Sequence, residues 1–131
     1  MVDFSEGNLR RLVRALESLG YRPRVPVRLE DFVSAENRQR WQKEKGMVVF
    51  SVTRGDSDPL TIDIMIDPPV DFDRAYRRRS VLRADTLRLS VLSIEDLITL
   101  KRFASRDQDL ADVQALEDVR YLRRRMRMTK K

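Results

Sequence analysis

Met47–Asp67 reads MVVFSVTRGDSDPLTIDIMID, two runs of β-forming residues separated by RGDSDP, a cluster of turn formers. That pattern predicts a β-hairpin. In the second run Leu60, Ile62, Ile64 and Ile66 alternate with Thr61, Asp63, Met65 and Asp67, so one face is apolar and the other carries two carboxylates. Asp63 is therefore held mid-strand with a defined direction, and a carboxylate so placed can serve as a metal or proton-transfer ligand, or simply face solvent. Asp67, four residues on, stands about 13 Å away at strand rise and cannot share an ion with it.

Before the hairpin, Val2–Phe4 reads as a short strand remnant. Ser5 is an N-cap for a helix with Leu9, Leu12, Val13, Leu16 and Leu19 on one side, and Gly20 ends it. Pro23 and Pro26 keep the next segment extended, and a second helix is expected over residues 30–44 with Phe32, Val33 and Trp41. After Pro68-Pro69 the expectation is a short helix over 71–78, a strand over 86–92, a helix capped by Ser93 and a last helix over 107–124 carrying Leu110, Val113 and Leu116 on one side. The order predicts an α+β fold with a small mixed or antiparallel sheet flanked by helices.

Ser93–Leu116, SIEDLITLKRFASRDQDLADVQAL, holds the chemistry. Lys101 falls two turns after Ile94, on the face of Leu97 and Ile98, where a core residue belongs; it must snorkel out or meet an anion. Arg106, Asp109 and Asp112 recur at three-residue spacing and form either a salt-bridge network between the two helices or support for a site.

Composition narrows the chemistry. With 41% hydrophobic and 37% charged residues, the 131-residue chain is apolar enough to fold as one domain and unusually charged for it. It has no cysteine and no histidine, which removes disulfides, thiolate or imidazole zinc sites, and serine–histidine or cysteine–histidine catalysis. Carboxylates, hydroxyls, lysine and arginine remain, a set suited to magnesium and phosphate chemistry. No glycine-rich phosphate loop is present, because Gly7, Gly20, Gly46 and Gly55 are isolated from one another.

The net charge is +6, with a pI near 10.2. The excess is mostly arginine, concentrated in Arg77, Arg78 and Arg79 and in a tail from Arg120 that includes Arg123, Arg124 and Arg125. Either group can rest on nucleic acid, or be a solvated helix face and a frayed terminus. No apolar run reaches membrane-spanning length and the N-terminus has no signal-peptide pattern, so a cytoplasmic protein with no membrane partner is expected.

The blocks NLRRLVRALESLGYRPRVPV, RWQKEKGMVVFSV, LTIDIMID and VLSIEDLITLKRFASRDQDLADVQAL resemble, in that order, bacterial nucleotidyltransferase-fold proteins of the AbiEii-like toxin and minimal nucleotidyltransferase kind. The resemblance implies a fold similar to the catalytic domain of DNA polymerase beta over residues 1–119, followed by a basic tail over 120–131. It implies transfer of a nucleoside monophosphate from an NTP to a hydroxyl, in a toxin–antitoxin or phage-defence setting, with Mg²⁺ and NTP as cofactors. Asp63 would be the third metal carboxylate and catalytic group, and Lys101 would contact the nucleotide triphosphate. Implied partners are an RNA, tRNA or protein acceptor and a cognate antitoxin.

The family's glycine motif, its N-terminal helix and its Asp-x-Asp strand would precede Met1, and Asp3 has no second carboxylate two residues away. The resemblance therefore implies an N-terminally truncated domain, inactive as this chain. Either Met1 is an internal methionine of a longer protein, or the short form is a degenerate fold kept for binding. Self-association through an exposed sheet edge is expected. The readings that compete with catalysis are a non-catalytic nucleic-acid-binding module and a protein-interaction module.

Overall fold

A computed structural model describes residues 1–128. The chain is mixed α and β and divides into two compact units, Met1–Asp67 and Pro68–Lys131. The end of the basic tail, residues 129–131, lies outside the described residues.

The first unit begins with α1 (Glu6–Ser18), whose Leu9, Val13 and Leu16 are buried as the spacing predicts. Val2–Phe4 is not a strand. Asp3 diverts it: its carboxylate accepts from the Ser5 backbone N–H at 2.9 Å and from Ser5 Oγ at 3.0 Å, an Asx-type turn that competes with a strand ladder. The helix closes with paired bonds from Gly20 N–H to the Glu17 carbonyl and from Tyr21 N–H to the Leu16 carbonyl, and the φ of +77° at Gly20 is one that glycine takes without a Cβ penalty.

The single helix expected over 30–44 is two elements, a 3₁₀ turn at Leu29–Val33 and α2 (Ala35–Lys45). Ser34 makes the break, because its backbone is extended and its Oγ caps the Asn37 N–H at 3.3 Å. Carbonyls freed at the end of the 3₁₀ turn are taken by buried Arg38, whose Nη1 donates to Phe32 O at 2.6 Å and to Val33 O at 2.8 Å.

The hairpin forms as β2 (Val49–Thr53) and β3 (Thr61–Met65), antiparallel, with Phe50 opposite Ile64 and Ser51 opposite Asp63. A two-residue strand, β1 (Arg22–Pro23), adds to β2, giving the order β1-β2-β3 with β3 at an edge. Phe50, Val52, Ile64 and Ile66 close the core against Leu9, Phe32 and Trp41. The expected apolar face of β3 is buried only in its second half; Leu60 stands 61% exposed and Ile62 37% exposed, since the core does not reach the hairpin tip.

In the second unit α3 (Phe72–Arg78) is capped by Asp71, whose carboxylate accepts from Arg74 N–H at 2.9 Å. The strand expected over 86–92 forms as β5 (Leu87–Val91), but it does not extend the sheet of β2 and β3. It pairs antiparallel with a strand the sequence does not announce, β4 (Ser80–Ala84), in a separate two-stranded sheet. Every residue of both strands is exposed, so neither had to show a buried stripe.

Ser93 caps α4 (Ile94–Ala104) as expected. Its Oγ accepts from Asp96 N–H at 3.1 Å and donates to the Asp96 carboxylate at 2.8 Å. Ser93→Ala is expected to cost about 1 kcal/mol of stability, read from thermal unfolding by circular dichroism. An unchanged transition would show that Asp96 holds the helix start without its cap.

The last helix, α5 (Asp107–Met128), runs unbroken through the start of the predicted basic tail. Its inner face is not the expected one. Asp109 and Val113 are buried and Leu116 is half-buried, whereas Leu110 is 53% exposed. The spacing 109, 113, 116 follows the helical period more closely than 110, 113, 116, and Asp109 takes the inner place because it has a cation to meet. Among the described residues, no helix is long and apolar enough to cross a membrane.

Candidate functional site

Asp63 belongs to the first unit. It is exposed on β3, and Ser51 Oγ on the neighbouring strand donates to its Oδ1 at 2.6 Å. This bond follows from the register, which sets Ser51 directly opposite Asp63 on the face away from the core. A strand fixes the carboxylate's direction and a cross-strand hydroxyl fixes its rotamer. Asp67, on the same face by alternation, lies beyond the end of β3 and takes a bond from Gln42 Nε2 at 3.3 Å. Among the described residues no three acidic side chains gather where a metal ion could be held. Asp63 by itself does not fit the pair of magnesium ions that the family resemblance implies.

Lys101, Arg106, Asp109 and Asp112 belong to the second unit, and the structure brings all four together. Lys101 Nζ donates to Asp109 Oδ1 at 3.2 Å and to Asp112 Oδ2 at 2.5 Å, while Arg106 Nε donates to Asp109 Oδ2 at 2.6 Å. The lysine on the apolar face of α4 thus meets anions, and they are the carboxylates of α5. The Asp112 hydrogen bond, aided by Asp109, raises the lysine above its usual range. Arg106 and then Lys101 hold the Asp109 carboxyl low although burial opposes ionisation, and Lys101 together with Gln108 lowers Asp112. The arrangement locks two helices together and leaves the ammonium one further donor.

Of the three consecutive arginines, two are taken up locally. Arg77 Nε donates to Asp73 O at 3.3 Å, and Arg79 donates to Tyr76 O at 2.7 Å and lies over the Tyr76 ring at 3.8 Å. Arg78 turns instead to Asp96, with Nη2 to Oδ1 at 2.5 Å and Nε to Oδ2 at 3.3 Å. Burial opposes ionisation of Asp96, and the hydrogen bonds from Arg78 and Ser93 outweigh it, holding the carboxyl below its usual range.

Beside this pair opens a cleft of about 390 Å³ lined by Arg78, Arg120, Arg123, Arg124 and Arg127, with one carboxylate, Glu95, in its wall. Arg125 is directed elsewhere, over the Tyr121 ring at 5.8 Å. The sequence groups Arg120 and Arg127 in the basic tail with Arg123, Arg124 and Arg125, and the structure separates Arg125 from the rest. The signal was present in RYLRRRMR, where positions 120, 123, 124 and 127 repeat at i, i+3, i+4 and i+7.

A larger cleft of about 660 Å³ in the first unit is lined by Arg10, Arg14, Arg38, Glu17 and Glu30 among others. Its charges are mixed: Arg10 is paired with Glu6 at 2.7 Å, and a hydrogen bond with Glu30 holds the Glu17 carboxyl above its ordinary range.

No family model, curated protein or solved structure matches the chain.

Proposed function

We propose that the chain is a nucleotidyltransferase-fold protein of the AbiEii-like, toxin–antitoxin or phage-defence kind, whose family transfers a nucleoside monophosphate to an RNA, tRNA or protein hydroxyl, and that Asp63 is its third metal carboxylate, which alone does not sustain transfer. The reading is supported by the four blocks of resemblance in sequence order. The observation that carries it is Asp63, a carboxylate fixed by a strand and by the Ser51 hydroxyl on an exposed sheet face away from the core. A solvated strand aspartate needs no such brace, whereas a ligating group benefits from a held rotamer. The edge strand β3 offers a place for a cognate antitoxin or a second copy to add a strand.

Nucleotidyl transfer depends on carboxylates that position metals and neutralise phosphoryl charge, and one carboxylate does not supply that. The 131-residue chain is accordingly expected to leave RNA, tRNA and protein unlabelled when given radiolabelled NTPs and Mg²⁺. In any form of the protein that transfers label, Asp63→Asn is expected to lower transfer by about 100-fold or more. Transfer that is indifferent to Asp63 would refute the assignment.

A further inference from the structure

We propose that the arginine-lined cleft between α3, the first turn of α4 and the distal half of α5 binds the phosphate backbone of a single-stranded nucleic acid. It stands independently of any role for Asp63. Five guanidinium-bearing side chains line a space of about 390 Å³ against one lining carboxylate, Glu95. Arg78 shares Asp96, and Arg120 lies 3.8 Å from Glu117. Arg123, Arg124 and Arg127 have no carboxylate partner among the described residues. Like charges set side by side without counter-ions repel one another, which is a cost to folding that a bound polyanion relieves.

The spacing favours a nucleic-acid strand over other anions. From Arg120 to Arg127 the helix rises about 10 Å, and a stacked strand places a phosphate every 3.4 Å or so, which sets about four phosphates against the stripe. Each guanidinium can grip two phosphate oxygens at once, which the point charge of a lysine cannot. The arginines line a recess rather than a flat face, so a narrow strand can enter where a membrane surface would touch only the rim.

The test measures anisotropy of a fluorescein-labelled single-stranded RNA of about 12 nucleotides, titrated with the full chain at salt concentrations from about 50 to 200 mM. With about four phosphates neutralised, log affinity is expected to fall against log salt with a slope near −3. The combination Arg123→Gln, Arg124→Gln and Arg127→Gln is expected to weaken binding by at least about tenfold and to flatten that slope by about 2. Ser80→Glu, which places a carboxylate in the cleft wall without removing an arginine, is expected to weaken binding by a similar factor. A control of equal charge loss, Arg22→Gln with Arg83→Gln and Arg88→Gln, alters exposed arginines that do not line the cleft and is expected to change affinity by less than about threefold. Equal losses in the two triple variants would reduce the effect to diffuse attraction and overturn the proposal. It is overturned equally if poly-glutamate displaces the RNA at matched charge concentration, or if phosphatidylserine vesicles do so, because the cleft would then serve an acidic protein or a membrane.

Discussion

Phe50→Ala is expected to lower the stability of the chain by about 3–5 kcal/mol, a loss of the size seen when a large aromatic leaves a packed core. Phe50 is 1% exposed, with its ring stacked 4.7 Å from Phe32 and 5.6 Å from Trp41. Those rings come from the 3₁₀ turn, α2 and β2, so one side chain ties together three consecutive elements. Alanine would remove the apolar contact and leave a cavity that the flanking aromatics, each held by its own backbone, cannot close. Trp41 is the only tryptophan, and its fluorescence during urea unfolding reports directly on this stack. Leu60→Ala, at a residue 61% exposed, is expected to shift the transition by no more than about 0.5 kcal/mol. If the two variants unfold alike, the aromatic stack does not hold the unit together.

Asp109→Ala is expected to cost about 2–3 kcal/mol, since it removes a buried acceptor of two charged donors and leaves part of their desolvation uncompensated. Asp109 is 2% exposed and receives Lys101 at 3.2 Å and Arg106 at 2.6 Å. The same carboxylates set the pH dependence. Asp96, Asp109 and Asp112 are all held below their ordinary range, so the stability they contribute is complete above about pH 4 and is lost as pH falls through their lowered values. Lys101 is held above its ordinary range, so its contribution is complete below about pH 10 and is lost as pH rises through the raised value. Thermal unfolding followed at the helical circular-dichroism band should therefore show a plateau bounded by an acid and an alkaline limb. In Asp109→Ala the acid limb should shrink; a limb of undiminished size would place the acid sensitivity elsewhere.

Some elements were legible because a local rule sufficed to place them. The stripe of α1, the Schellman end at Gly20, the hairpin with Asp63 on its outer face and the Ser93 cap each depend on residues a few positions apart. The break at Ser34 is local too, but a serine inside a helical pattern signals a cap only when the backbone is seen to turn there. β4 lay beyond any burial pattern, being exposed along its whole length, whereas β5, equally exposed, was legible from its run of β-forming residues. The reading of α5 chose leucine over aspartate for the inner face, a sound preference until a lysine on the neighbouring helix reverses it.

By itself, the sequence determined the chemistry available to this protein. It excluded thiol and imidazole, put a carboxylate on the outer face of a strand, put a lysine on the inner face of a helix and concentrated arginine near the C-terminus. Those are properties of composition and short-range periodicity. Only the tertiary structure decided which charges meet. Lys101 finds Asp109 and Asp112 across a helix pair, Arg78 leaves its two neighbours for Asp96, and the arginines of α5 line one cleft with a residue more than a helix away in the chain. The physical reason is that electrostatic partners are chosen by distance in space and by burial, and neither is encoded at any fixed spacing along the chain.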